Sequence, residues 1–304
     1  MIRIEPREKI SNSSTVLIPI IAAVVSLLFA AIPLLAAGAN PFVAYVEMAK
    51  GVFGSVFAIS EMLTRATPLI YTGLAAAIAF RAKLWNIGAE GQLYLGAIAA
   101  VTVGSGFFDL PAVLLLPLII VLGGCAGAVG MAAPTYLKVR FGADEVVTTL
   151  LLNFIIIIFL QMLLEGPLQD PMGLGWPQSA PILDQGMFPP LIDRMRIHSG
   201  LILAVLLAVI AHFIINYSVW GFKLRAVGEN SAAAKHAGIN INRSLFGVAL
   251  LSGGLAGLAG VSEVAGLKGY LTADLSPGFG YAGIVVAMLA GLSPLGVLIA
   301  SVFI

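Results

Sequence analysis

Charged side chains are scarce in this sequence, and their scarcity excludes most classes of soluble protein. The 304 residues include 16 Lys and Arg and 15 Asp and Glu, so that 10% of the chain is charged. Soluble globular domains carry about 25% charged residues. So few charges cannot cover the surface of a water-soluble protein of this size. A soluble enzyme, a disordered tail and a nucleic-acid binder are therefore excluded, and the net charge of +1 favours no class of partner.

Cysteine and histidine are also rare, and neither forms a pattern typical of a metal or catalytic site. Cys125 is the single cysteine, so it cannot form an internal disulfide. His198, His212 and His236 lack the spacing of metal ligands and have no Ser or Cys arranged beside them. The phosphate-binding pattern G-x-x-x-x-G-K-[ST] does not occur either. We therefore expect no metal site and no catalytic residue, and we do not expect this chain to hydrolyse ATP.

Long apolar runs are abundant: 60% of the residues are hydrophobic and the mean hydropathy is +1.03. A transmembrane helix needs about 20 apolar residues, whereas a barrel strand needs about 10 with alternating polarity. Runs such as 112–137 are apolar on every side, which predicts an all-α, polytopic transmembrane bundle. We expect one transmembrane domain over 1–304, with C-terminal spans missing from this chain because the last run has no polar flank. At least eight apolar segments, some of them short or broken, lie at roughly 16–37, 66–80, 92–107, 112–137, 146–164, 199–217, 245–267 and 281–304.

The distribution of basic residues predicts the orientation of these segments. A cytoplasmic N-terminus, which begins with Arg3, Arg7 and Lys9, places eleven Lys and Arg inside and five outside, in accordance with the positive-inside rule. The Pro-rich loop 165–199 then lies outside, and the loop 218–244 lies in the cytoplasm.

The cytoplasmic loop 218–244 contains a candidate docking helix. Asn230 or Ser231 is suited to cap a short helix that continues through His236, and Gly238 is suited to end it in the left-handed conformation. The helix would be rich in alanine, so it could fit closely into a groove on another protein. An ordinary solvated loop is the alternative.

Polar residues inside apolar spans are costly and often face a cavity or a partner. Asn86, Glu90 and Gln92 cluster at a glycine-containing junction between two short segments, where a broken helix could line a substrate pathway. A simple cytoplasmic turn is the alternative. Asn153 and Gln161 lie two turns apart on one predicted span and could face the pore or hydrogen-bond between helices.

Two further patterns on these spans suggest structural roles. Asp144 and Glu145 precede a span and are expected to cap it, because acidic residues are favourable at a helix N-terminus. The pairs Gly253 with Gly257 and Ala256 with Gly260 have the spacing that favours tight packing of helices.

Three stretches of the sequence resemble one family of membrane proteins. They are Arg-Ala-Val-Gly-Glu-Asn at 225–230 with Ala-Gly-Ile at 237–239, the segment 80–92, and the Gly- and Pro-rich segment 275–284 followed by Ser-Pro-Leu-Gly at 293–296. Together they resemble the permease subunits of bacterial ABC importers for simple sugars, nucleosides and branched-chain amino acids. The resemblance is greatest to the nucleoside and simple-sugar branch.

The resemblance implies a function and a set of partners. A permease of this kind would lie in the bacterial inner membrane among its lipids, pair with a second copy or a similar permease, and receive solute from a substrate-binding protein outside. A cytoplasmic ATPase subunit would use ATP and Mg²⁺ and contact the loop at Arg225, Gly228, Glu229, Asn230, Ala233, Ala237 and Gly238. The solute would be small, neutral and polar. The residues expected on its path, Asn86, Glu90, Gln92 and Asn153, come from their polar character within apolar segments and not from the resemblance.

The identity of the solute leaves alternatives open. The branch resemblance implies a nucleoside first and a simple sugar such as ribose second. An ATP-independent secondary transporter or facilitator is the alternative of another class, and it would require a coupling-ion site or an inverted repeat.

Overall fold

The computed structural model describes residues 12–106 and 110–304, so the basic residues Arg3, Arg7 and Lys9 lie outside the described residues. Within these ranges the chain forms twelve α-helices and no β-sheet, with a 3₁₀ turn at Asp184–Gly186 and a π-helical turn at Val264–Lys268. The helices are α1 (Asn12–Ala36), α2 (Pro41–Phe53), α3 (Val56–Arg81), α4 (Ala89–Gly104), α5 (Ala112–Phe141), α6 (Glu145–Leu164), α7 (Gly200–Tyr217), α8 (Val219–Glu229), α9 (Ser231–His236), α10 (Ile241–Glu263), α11 (Phe279–Leu289) and α12 (Pro294–Phe303).

The lengths and composition of these helices confirm the prediction of an all-α membrane protein. Among the described residues, α3, α5, α6, α7 and α10 with its π-helical turn are each long and apolar enough to cross a membrane. Two bent pairs, α1 with α2 and α11 with α12, raise the number of spans to as many as seven. The outward side of α6 exposes Leu151, Phe154, Ile155 and Ile158, as lipid contact requires.

The helix boundaries differ from the predicted segments in three places. The second segment, expected at 66–80, begins ten residues earlier at Val56. The helix α2 was not predicted, and it begins where Asn40 accepts hydrogen bonds from the backbone of Phe42 and Val43. The last segment, expected as one run at 281–304, is two helices bent by 118°, because Gly291 and Leu292 adopt positive φ before Pro294 starts α12.

The described chain divides into two compact units at the boundary between Ile59 and Ser60. In the first unit, α1 and α2 are bent by 116°, and the Tyr45 hydroxyl donates to the Leu27 carbonyl oxygen at 2.5 Å. The second unit contains most of α3 and all later helices, and it holds the buried core.

The core of the second unit is built on direct backbone packing among α4, α5 and α10. A Cβ atom on Gly96 would overlap the Gly257 carbonyl, and one on Gly127 would lie 2.7 Å from the Cα of Gly257. A Cβ on Gly260 would overlap the Leu93 carbonyl. The predicted small-residue packing on α10 is therefore confirmed, and it brings the three helix axes close enough for extensive van der Waals contact.

The two segments predicted as long loops, 165–199 and 218–244, lie at opposite ends of the second unit. The helix α10 and its π-helical turn run from Ile241 to Lys268, about 40 Å at the usual rise per residue. At one end, here called the α8–α9 end, α8 and α9 lead into the start of α10. At the other, the loop end, residues 165–199 bind the π-helical turn and α4 through Phe188 N–H to Ala265 oxygen (2.7 Å) and Leu183 N–H to Gly104 oxygen (2.9 Å). The assignment of these ends to the cytoplasm and the outside stays a prediction from the basic residues.

Candidate functional site

The segment 218–240 folds into two capped helices. Ser218 accepts from the Gly221 N–H at 3.0 Å and starts α8, a helix that was not predicted. The Asn230 side chain accepts from the Ala233 N–H at 3.0 Å and starts α9, as predicted. Gly238 has a φ of +81°, so the predicted left-handed end of this helix is also confirmed.

The helix α9 presents small side chains to the exterior. Ala234 is buried against the protein, whereas Ala233, Lys235, His236 and Ala237 are exposed. A helix with alanines on its free face allows a partner backbone to approach closely. Of the residues expected to contact an ATPase, Glu229, Asn230, Ala233, Ala237 and Gly238 are exposed, Arg225 is half-buried and Gly228 is buried.

A cavity of about 470 Å³ opens beside the junction of α8 and α9. The residues that line it include Glu229, Asn230 and Ser231 as well as the two cations Lys83 and Lys138. The wall near Gly228 is tight, because a Cβ on this glycine would overlap the carbonyl oxygen of Arg81. The end of α8 therefore rests directly on the corner where α3 ends.

After this corner, the chain returns into the bundle as the α3–α4 turn, residues 82–88. Three residues at every fourth position of α6, Glu145, Thr149 and Asn153, hydrogen-bond to the backbone of the turn and the start of α4. The carboxylate of Glu145 accepts from Trp85 N–H at 3.4 Å, and the Thr149 hydroxyl accepts from Ile87 N–H at 3.4 Å.

The third side chain of the stripe, Asn153, forms three hydrogen bonds. Its oxygen accepts from Gly91 N–H at 2.9 Å, and its amide group donates to the Ile87 carbonyl at 3.0 Å and to the Tyr281 hydroxyl at 3.1 Å. Non-helical backbone within a membrane protein must be satisfied internally, and this stripe satisfies it.

A pair of amide side chains fixes the middle of the turn. Asn86 and Gln92 exchange two hydrogen bonds of 2.8 and 2.9 Å, and Asn86 also donates to the Ser252 hydroxyl at 2.9 Å. Ser252 in turn donates to the Ala75 carbonyl at 2.7 Å. Ala75 precedes the end of α3 by six residues, which is about 9 Å along the helix, and Ser252 links Asn86 to this level of α3.

The N-termini of α4 and α11 meet at Glu90. The Glu90 carboxylate accepts from Gly280 N–H at 2.7 Å, and a Cβ on Gly280 would lie 2.5 Å from the Cα of Glu90. The Ser276 hydroxyl accepts from the Phe279 N–H at 2.9 Å. Helix N-termini carry partial positive charge, so the carboxylate lies where two such charges converge.

The four residues expected to contact solute are thus brought together around the α3–α4 turn and the start of α4. Asn86, Glu90, Gln92 and Asn153 are all buried, and each is hydrogen-bonded within the protein. Gln161 is exposed instead. Sequence reasoning missed the remaining members, Glu145, Thr149, Ser252, Ser276, Gly280 and Tyr281. The spacing of 145, 149 and 153 on one helix face is the signal that could have found two of them.

One predicted cap is wrong in part. Asp144 does cap α6, accepting from Val146 N–H at 2.8 Å. Glu145 instead forms an ion pair of 2.6 Å with Lys138 and binds the Trp85 backbone, because its side chain points back toward α5 and the turn. Residues 12–106 and 110–304 contain no group of three or more His, Cys, Asp or Glu placed to hold a metal ion.

The loop end has a cavity of its own, of about 510 Å³. The His198 ring is buried there, stacked on Phe188 with 5.7 Å between ring centroids, and its Nδ1 accepts from Gly200 N–H at 3.2 Å. A Cβ on Gly266 would lie 2.5 Å from that Nδ1. Burial lowers the pKa of His198 to about 4, so the ring is neutral at physiological pH.

Comparison with known proteins identifies several relatives. A family described as the permease component of branched-chain amino acid transport systems matches residues 58–304. The guanosine ABC transporter permease protein NupP of Bacillus subtilis is 37% identical over 96% of this chain and 84% of its own length. The nucleoside ABC transporter permease protein NupB of Lactococcus lactis is 34% identical over 96% of this chain and 82% of its own. The glucose ABC transporter permease protein TsgB13 of Haloferax volcanii is 34% identical over 99% of this chain and 82% of its own. No solved structure matches the chain.

Proposed function

This chain belongs to the family of permease components of branched-chain amino acid transport systems, and from that premise we propose that it carries a nucleoside across the bacterial inner membrane. As an ABC transporter permease it is a multi-pass membrane protein and a transport subunit, which works with an ATPase and a substrate-binding partner. The similarity to NupP and NupB over 96% of the chain supports a nucleoside as the solute.

The meeting of α4 and α11 at Glu90 is the observation that supports a neutral cargo. The Gly280 N–H and the two helix N-termini lie against the Glu90 carboxylate, so the protein itself supplies groups that stabilise a negative charge there. A solute therefore need not supply a charge to complete this site. Nucleosides are neutral and rich in hydroxyl and amide-like groups, which the amides of Asn86, Gln92 and Asn153 can recognise once the network opens during transport.

A simple sugar is the second candidate, and the similarity to TsgB13 supports it. Sugars are also neutral and polar, so the Glu90 arrangement suits both solutes. The two differ in the flat, weakly polar base of the nucleoside, which requires an aromatic or apolar contact in addition to hydrogen bonds.

The exposed face of α9 is the proposed docking site for the ATPase subunit. Arg225, Gly228, Glu229, Asn230, Ala233, Ala237 and Gly238 form or support this surface, and ATP and Mg²⁺ are used by the partner rather than by this chain. Two permease subunits, identical or similar, would each present one such helix. Movement of the ATPases on binding ATP would then reach the membrane through two equivalent contacts.

Uptake by proteoliposomes tests the solute and the energy source together. The permease and its ATPase are reconstituted in proteoliposomes, with ATP enclosed in the lumen and the binding protein outside. Uptake of labelled guanosine, uridine, ribose and glucose into the lumen is then measured. We expect ATP-dependent uptake of guanosine or uridine, and we expect that an excess of unlabelled ribose or glucose does not inhibit it.

The control is the same complex with an ATPase variant that binds but does not hydrolyse ATP. Uptake that persists with this variant would contradict the importer function and favour a facilitator. ATP-dependent uptake of ribose or glucose alone would replace the nucleoside by a sugar.

A further inference from the structure

Arg81, the last residue of α3, contacts two separate elements of the second unit. Its backbone carbonyl meets the end of α8, and its side chain meets the bend between α11 and α12. The residue is half-buried, at the α8–α9 end. It was not among the residues that the sequence singled out for a function.

The contact with α8 is between backbones. A Cβ on Gly228 would overlap the Arg81 carbonyl oxygen and would lie 3.3 Å from the Cα of Ala82. Because both sides of this contact are backbone atoms, no flexible side chain lies between them to absorb a displacement. A movement of the end of α8 toward α3 must therefore move the backbone at Arg81.

The contact with the bend between α11 and α12 is a hydrogen bond. The Arg81 Nε–H donates to the Leu292 carbonyl oxygen at 2.9 Å. Leu292 has a φ of +58° and follows Gly291 at +57°, so the bend contains a leucine in the left-handed region, which side-chain-bearing residues rarely adopt. A hydrogen bond from the Arg81 side chain supports this strained geometry from outside the two helices.

The other end of α11 is held by the same part of the chain. Gly280 donates to Glu90, which follows the α3–α4 turn, whereas Arg81 precedes it. Both ends of α11 are therefore held by residues that flank one turn. A displacement of this turn would shift α11 as a whole, including the N-terminus that meets α4.

We propose that Arg81 is a positioning residue that transmits movement of α8 to α11 and α12 during ATP-driven transport. This inference rests on the proposed docking of an ATPase at α9. A push on α9 and α8 moves the Arg81 backbone, and the guanidinium carries the movement to Leu292. The bend between α11 and α12 then changes, and the network at Glu90 opens or closes with it.

The test compares coupling with assembly in Arg81→Gln and Arg81→Lys, and Arg140→Gln serves as the control. Arg140 is an exposed cation in the last turn of α5, so this control removes the same charge from the same end of the protein. Permease–ATPase complexes are purified, reconstituted with the binding protein and supplied with labelled guanosine. Uptake and ATP hydrolysis are measured on the same proteoliposomes.

We expect Arg81→Gln to lower the solute transported per ATP hydrolysed at least tenfold, with assembly intact. Arg81→Lys should lie between Arg81→Gln and the unmodified protein, because an ammonium can reach a carbonyl but lacks the Nε geometry. Arg140→Gln should leave the ratio unchanged. An unchanged ratio in both Arg81 variants would overturn the inference, as would a parallel fall of uptake and hydrolysis in Arg81→Lys.

A distance measurement tests the movement itself. The native cysteine is first removed by Cys125→Ser. Spin labels are then attached to the cysteines of Val285→Cys on α11 and Ile299→Cys on α12, two exposed positions. We expect ATP to shift the distance between the labels in the unmodified complex and not in Arg81→Gln. A shift of equal size in Arg81→Gln would contradict the transmission through Arg81. ATP-dependent uptake by the unmodified complex tests the proposed function separately, and its absence would overturn both.

Discussion

The two ends of the second unit connect their helices in opposite ways. At the α8–α9 end, Ser218, Asn230 and Asn240 each cap a helix, and the short helix α9 has an exposed face of small side chains. At the loop end, residues 165–199 have mostly irregular backbone, which is hydrogen-bonded to α4 and to the π-helical turn. The first surface is set by local helix geometry, whereas the second depends on the bundle beneath it.

This difference suits two kinds of partner contact. A helix with its own caps keeps its shape when a partner pushes on it, as force transmission from an ATPase requires. A loop whose shape follows the helices beneath it changes when those helices move. Substitutions at each end should therefore fail differently: those at the α8–α9 end should uncouple transport, and those at the loop end should lower stability.

Gly228→Ala should give the largest effect, at the α8–α9 end. The added Cβ overlaps the Arg81 carbonyl, so the end of α8 must move away from α3. We expect guanosine uptake to fall at least tenfold while the protein still inserts in the membrane. The control is Gly124→Ala on α5, where the nearest atom to a Cβ lies 3.6 Å away in ordinary contact. Uptake by Gly228→Ala within twofold of the unmodified protein would contradict the packing of α8 on α3.

Gly266→Ala tests the loop end by overpacking. The new methyl group would lie 2.5 Å from Nδ1 of His198, so the ring and the loop must shift. Overpacking of this kind costs about 1–3 kcal/mol. We expect a lower midpoint of thermal unfolding in detergent, and partial recovery when His198→Ala is added to remove the ring. A double variant as unstable as the sum of the two single variants would disprove the contact.

Acid should destabilise the loop end. The folded state lowers the pKa of His198 to about 4 from its ordinary 6.5, so between these values the unfolded chain binds the proton more tightly. The contribution of this group to stability is therefore present above about pH 6.5 and is lost as the pH falls toward 4, with a slope of at most about 1.4 kcal/mol per pH unit. The free energy of unfolding, measured with urea between pH 7 and 4.5, should depend less steeply on pH in His198→Asn than in the unmodified protein. Equal slopes would show that the ring is not held neutral.

Asn230→Ala should give the smallest effect and sharpen the contrast at the α8–α9 end. Loss of an N-cap costs a helix about 1 kcal/mol. We expect the affinity for the ATPase subunit to fall about fivefold, the factor that this free energy implies, with no change in the thermal stability of the bundle. Asn230→Ser retains a capping oxygen and should bind almost as the unmodified chain does. A stability loss without an affinity loss would assign Asn230 to the bundle instead.

The sequence predicted those features of the fold that are decided by residues close to each other in the chain. Asn230 and Gly238 were identified because a cap and a left-handed stop are decided within one helical turn. The bend before α12 was missed, although Ser293 and Pro294 carry a start signal, because the apolar run around them is continuous. The helix α8 was missed because its residues lie within a segment that reads as a polar loop.

Long-range partners explain the rest of the site. Asn86, Glu90 and Gln92 were predicted to cluster at one junction, and Asn153 of α6 lies beside them in the structure, whereas the hydrogen-bond partners of these residues were not predicted. Glu145 illustrates the reason: its position predicts a cap, but Lys138 and the Trp85 backbone lie where only the folded chain brings them. Whether the four residues contact solute stays a prediction.

The convergence of α4 and α11 on Glu90 has an electrical consequence. A membrane with a potential of about 100 mV acts on every ion that finds a path across it, at about 2.3 kcal/mol per elementary charge. Two positive helix ends repel cations, and the one carboxylate between them offsets their field for anions. A solute path past Glu90, as proposed above, would offer neither sign of ion a favourable resting place. The arrangement proposed for an uncharged cargo would thus also limit the leakage of salts across the membrane.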